Sequence, residues 1–110
     1  MRVAALATLM FLVIPAFADD VADKQAFAAR CAKCHAESGT GTFMLGRRLG
    51  KKRAMLERRT DLAPALIRHV VRNGIVSMPP ITRVEVTDEE LDAIVRYLTR
   101  KQNDVLGESQ

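Results

Sequence analysis

Both cysteines of this chain and one of its two histidines fall within five consecutive positions, Cys31-Ala32-Lys33-Cys34-His35. A Cys-x-x-Cys-His run is a chemical attachment point, so the fold has to accommodate whatever it attaches. The rest of the chain is short of core material: its 110 residues include four Phe, one Tyr and no Trp. A domain this small buries too little apolar surface to be secure without a staple.

The first eighteen residues read as a segment apart. Arg2 is followed by an apolar run, Val3 to Ile14, broken only by Thr8, and then by Pro15-Ala16-Phe17-Ala18. This is the pattern of a secretory signal peptide with an A-x-A cleavage site after Ala18. The run is shorter than the roughly 20 apolar residues a membrane span needs, and Asp19 and Asp20 follow at once. The expected organisation is a signal peptide, 1–18, then one domain, 19–110, working in the periplasm with no membrane span after cleavage. Net charge is +4, and residues 47–59 hold seven basic residues against Glu57. The remainder of the mature chain is therefore acidic, and the strip is a candidate docking surface for an acidic partner.

The periodicities predict an all-α chain of three main helices and long loops. The alanine-rich stretch from Asp20 to Cys34, with Asp20 or Asp23 as N-cap, reads as the first helix. The sixteen residues from His35 to Gly50 contain four glycines and read as loop, with a weaker helical turn over 51–59. A second helix is expected from Thr60 or Asp61, with Pro64 in its first turn, apolar Leu66, Ile67, Val70 and Val71 on one face, and Gly74 closing it. Pro79 and Pro80 impose an extended turn. Thr87 and Glu90 have capping-box spacing ahead of the stripe Leu91, Ile94, Val95 and Leu98, which predicts a helix to about Lys101 and a flexible tail over 101–110.

Four chemistries suit Cys31, Cys34 and His35. A thioredoxin-like redox pair needs a βαβ context that these patterns lack. A zinc site would have to recruit His69, and His35 adjoins Cys34 too closely for easy tetrahedral ligation. A bare disulfide leaves His35 and the thin core unexplained. Covalent haem attachment uses all three: both thiols form thioethers, the imidazole ligates the iron, and the haem fills the centre. One haem c is therefore expected, on Cys31, Cys34 and His35. For the sixth ligand the candidates are Met44, Met55, Met78 and His69. Met78 lies 43 positions after His35, on a loop stiffened by two prolines, and is the expected ligand. Met44 is expected to pack on the ring, Met55 to fill core, and His69 to be a surface residue.

These residues, with "VVRNGIVSMPP" and a last helix carrying "AIVRYL", resemble the class I c-type cytochromes over almost all of the mature chain. The loop pattern is similar to the small cytochrome subunits of flavocytochrome dehydrogenases, of the 4-cresol dehydrogenase type. The resemblance implies terminal helices crossing through Phe27 and Tyr97. It also implies an electron-transfer protein, not an enzyme in itself, that accepts electrons from a flavoprotein dehydrogenase and passes them to a cytochrome or copper protein. A diffusing carrier to a terminal oxidase and a haem sensor with an open sixth site are the alternatives. Two positions depart from the pattern. Asp23 replaces a glycine at the helix crossing. Thr42 replaces a proline whose carbonyl accepts the proximal histidine N–H, a bond that the threonine carbonyl is able to keep. Arg47 and Arg48 are candidates to pair with haem propionates. Secretion and sparse aromatics argue against nucleic-acid binding, which a basic chain otherwise invites.

Overall fold

The computed structural model describes residues 17–107. Apart from Phe17 and Ala18, the expected signal peptide lies outside the described residues, as do the last three positions of the expected tail. The described residues form α1 (Phe17–Arg30), α2 (Ala32–His35), α3 (Thr40–Leu49), α4 (Pro64–Asn73) and α5 (Asp88–Gly107), with 3-10 turns at Lys51–Arg53 and Leu56–Arg58. Among them there is no β-strand, and the fold is all-α as expected.

Helices α1 and α5 pack against each other, and α4 packs on α5. The capping box at the start of α5 is made in both directions. The Thr87 N–H donates to Glu90 Oε2 at 2.9 Å, and the Glu90 N–H donates to Thr87 Oγ1 at 3.2 Å. The predicted stripe Leu91, Ile94, Val95 and Leu98 is buried, and it joins Phe27, Leu62, Ile67, Val71 and Val86 in one core. Phe27 and Tyr97 meet at the helix crossing, with ring centroids 5.4 Å apart. Tyr97 also donates its hydroxyl hydrogen to Glu57.

Asp23 enters this crossing 2 % exposed. The fold accommodates its carboxylate with donors from the partner helix: Arg96 binds both oxygens at 3.1 and 2.7 Å, and Arg100 adds a contact at 3.3 Å. A buried carboxylate is tolerable only with such charge-assisted bonds.

Four expectations need correction. The glycine-rich stretch after His35 is not loop throughout, because residues 40–49 form α3. Thr60 and Asp61 do not start α4, whose N-cap is Ala63 with Pro64 as its first helical residue. Asp61 is taken instead by Arg59, at 2.7 and 3.0 Å, and by Arg53. The last helix does not stop at Lys101 but continues to Gly107, so residues 101–107 of the expected tail are helical. Asp20 and Asp23 likewise lie inside α1 rather than capping it.

Candidate functional site

The cysteine-histidine run sits where α1 gives way to α2. Cys31 joins the two helices at φ −119°, ψ −31°. Its carbonyl accepts the N–H groups of both Cys34, at 3.1 Å, and His35, at 3.0 Å. That single turn brings the two thiols and the imidazole together. Both cysteines are free thiols. Burial, with Cys34 as a lesser contribution, pushes the Cys31 thiol up to about 11.

The His35 ring is backed by α3. A methyl group at Gly41 would stand 2.8 Å from the Cys34 carbonyl oxygen and 2.9 and 3.1 Å from His35 Cε1 and Nδ1. Gly39 has no room either, since its methyl would lie 2.2 Å from the same carbonyl oxygen. These glycines let α3 start directly against the motif. Nδ1 of His35 is buried without a hydrogen-bond partner, which leaves Nε2 as the available ligand atom. Burial lowers the His35 pKa, so the ring is neutral at pH 7 and its lone pair is free for a metal.

The expected bond from His35 Nδ1 to the Thr42 carbonyl is not made. Thr42 lies inside α3, where its carbonyl serves the helix ladder. The Thr42 hydroxyl is itself buried and unpartnered.

Met78 is presented by the loop after α4. Gly74 takes a positive φ of 75°, and any side chain there would meet the Met78 carbonyl oxygen at 2.7 Å. Ile75 and Met78 then exchange backbone hydrogen bonds of 3.0 and 2.9 Å around a tight turn in which Val76 has φ 53°. The Ile81 N–H returns to the Val71 carbonyl at 2.8 Å. Arg72 fastens the following loop through the carbonyls of Ile81 and Val86, at 3.1 and 3.0 Å, and through Asp88 at 2.7 Å.

Cys31, Cys34, His35 and Met78 all line one cavity of ≈ 720 Å³. Its walls are mainly apolar: Phe27 from α1, Leu45 and Leu49 from α3, Ile67 and Val70 from α4, and Leu98 from α5 are examples. A cavity of this size and lining suits a large, flat, apolar group with a few fixed polar contacts. Two thiols and a neutral imidazole on one turn, with a thioether from a separate loop, form a donor set that fits haem c. Arg48, Arg53 and Arg59 also line the cavity and are complementary to anionic substituents on such a group.

Met44 lines the same cavity, as expected of a residue packing on the bound group. Met55 lies instead in a shallow depression beside Tyr97. His69 is exposed on α4 and pairs with the Asn73 amide, away from the cavity. Of the two arginines singled out from the sequence, Arg48 reaches the cavity and Arg47 does not, whereas Arg53 and Arg59 were missed. The cavity face of α3 was missed too, although Met44, Leu45, Arg48 and Leu49 carry the spacing of one helical face.

Among the described residues no helix is long and apolar enough to cross a membrane. No curated protein and no solved structure matches the chain. Residues 15–98, most of the chain, match the family described as cytochrome c oxidase, cbb3-type, subunit III. With an all-α fold and a cavity that fits haem c, the chain belongs to this family of c-type cytochromes and is a haem-based electron-transfer protein.

Proposed function

We propose that the chain carries single electrons in the periplasm through one haem, bound by thioethers from Cys31 and Cys34 and ligated by His35 and Met78. The reading rests on one observation, the convergence of these four side chains on a single apolar cavity. The bound haem supplies the Fe(III)/Fe(II) couple, and thioether ligation and burial both favour the reduced state. The protein's own part is to hold and tune. Gly41 and Gly39 seat the proximal turn, burial keeps His35 neutral, and the Ile75 to Met78 turn fixes the thioether sulfur on its loop. Arg48, Arg53 and Arg59 offer cations to propionates.

The donor is a flavoprotein dehydrogenase, of which this chain is the cytochrome subunit, and the acceptor is a cytochrome or copper protein. The similarity of the loop after His35 and the "VRNGIVSMPP" segment to flavocytochrome subunits supports this reading. The matching family is described by an oxidase, so an oxidase partner is the alternative that co-purification would reveal.

The test is a reduced-minus-oxidised spectrum of protein matured with haem-attachment machinery, repeated on Met78→Ala. Wild type should show a c-type spectrum with the weak far-red band of sulfur-to-iron ligation, and Met78→Ala should lose that band. A band that survives would transfer the ligand role to Met44, which shares the cavity. Rapid binding of carbon monoxide by the reduced wild type at neutral pH would replace the carrier by a sensor or catalyst with an open site.

A further inference from the structure

Helix α3 has an inner and an outer face. Met44, Leu45, Arg48 and Leu49 line the cavity, whereas Phe43 and Arg47 do not. Phe43 is 63 % exposed, and the Arg47 guanidinium lies 5.8 Å from its ring centre. Aromatic and arginine side chains are the types enriched in protein–protein contacts, and here they stand together at the surface.

The charge around it is unbalanced. Residues 47–59 carry seven cations and one acid, so the sequence outside them has a net charge of −2. Outside the strip every described arginine is in a salt bridge: Arg30, Arg68, Arg72, Arg83, Arg96 and Arg100. Inside it, only Arg53 and Arg59 are paired, both with Asp61. Arg47, Arg48, Lys51, Lys52 and Arg58 have no carboxylate within salt-bridge distance among the described residues. Among the described residues Lys24, Lys33 and Lys101 are unpaired as well, but the bare arginines, Arg47, Arg48 and Arg58, all fall in this strip.

We propose that the outer face of α3 and the turn that follows it, presenting Phe43, Arg47, Lys51 and Lys52, docks an acidic patch of a one-electron redox protein. The proposal rests on the haem reading above and names the surface through which that site is served. Arg48 and Leu49 belong both to the strip and to the cavity wall, so a partner seated here stands beside the cofactor. A membrane surface fits less well. Interfacial helices carry a continuous apolar face toward lipid, whereas α3 turns Leu45 and Leu49 to the cavity and leaves one aromatic ring outside. Bare cations steer the encounter, and Phe43 supplies the apolar centre once water is excluded.

The experiment uses the haem-loaded full chain and flavodoxin hydroquinone, a strongly acidic one-electron donor, with stopped-flow observation of haem reduction at increasing ionic strength. Arg47→Glu/Lys51→Glu/Lys52→Glu should lower the low-salt rate constant about tenfold or more and flatten its salt dependence. Lys24→Glu, the control on α1, should stay within about twofold of wild type. Phe43→Ala should slow the reaction while keeping the salt slope. Equal rates for the strip variant and the α1 control, in proteins with intact haem spectra, overturn the docking surface alone. So does co-sedimentation with phosphatidylglycerol vesicles that the strip variant abolishes while the flavodoxin rate ignores it, which would make the face a lipid contact. Absence of any haem spectrum overturns the cofactor reading and this surface with it.

Discussion

At the scale of single residues, the two glycines of α3 make opposite predictions. Gly41 has no room for a methyl group: its neighbours would be the Cys34 carbonyl oxygen at 2.8 Å and the His35 ring at 2.9 and 3.1 Å. One of those neighbours is backbone and the other is the proposed iron ligand, so neither can yield freely. Gly41→Ala should destabilise the haem-loaded protein by about 1–3 kcal/mol, the usual range for overpacking. It should also alter the far-red ligation band, because the imidazole has to tilt. Gly46→Ala meets only the Ala54 methyl, at 3.4 Å. Alanine is favoured over glycine within a helix by roughly 0.5–1 kcal/mol, so this variant should melt at or above the wild-type temperature. Thermal melts of the two proteins side by side decide the matter. Equal melting temperatures would mean that Gly41 is not a cradle for the histidine. The sequence made Cys31, Cys34, His35 and Met78 legible because their chemistry is rare, but nothing local marks Gly41 as the residue behind the imidazole. That role depends on where α3 begins.

At the scale of elements, the start of α5 is tied to α1 through one carboxylate. Glu90 accepts from the Thr87 N–H through Oε2, and from Arg30 Nε and Nη2 at 3.0 and 2.8 Å through Oε1. The Thr87 N–H first, and Arg30 second, hold its pKa below the usual 4.5. The native state therefore binds this proton less readily than the unfolded chain. Its stabilising contribution is present above the unfolded value of 4.5 and is lost as pH falls through the lower folded value. In urea unfolding at stepped pH from 6 to 3, the stability difference between wild type and Glu90→Gln should be constant at first and then shrink below about 4.5. The other carboxylates are common to both proteins and cancel. A difference that stays flat to pH 3 would show that neither bond is made in solution. This cap could be read from the sequence because Thr87 and Glu90 act on each other within one turn. Thr60 and Asp61 carried equally good local signals, yet Asp61 is used by Arg53 and Arg59 and the helix begins later, at Pro64. Helix α3 escaped detection because Gly41 and Gly46 read as breakers, while its apolar face is matched to a cavity rather than to another helix.

At the scale of the whole molecule, two parts differ in what holds them. The crossing of α1 and α5, with α4 against it, has its own buried core around Phe27, Ile94 and Leu98. Helix α3 has none, since its one buried residue is Thr42 and its apolar side chains other than Phe43 face the cavity. The cavity is open to solvent: Met44, Leu66, Ile75 and Val76, which line it, are 40, 46, 51 and 73 % exposed. Without a bound group these apolar side chains stay in water, so α3 and the Met78 loop lack the burial that would hold them. The apoprotein is therefore least supported at these two elements. Without haem, as in Cys31→Ala/Cys34→Ala, amide exchange over 43–49 and 75–78 should rise to nearly unprotected rates while α5 keeps measurable protection over 91–98. The haem-loaded protein should protect all three segments and unfold in one transition. Protection of α3 in the haem-free variant would show that the helix is held by the protein alone, and the cavity would then be a binding cleft in a self-sufficient fold rather than the missing part of its core.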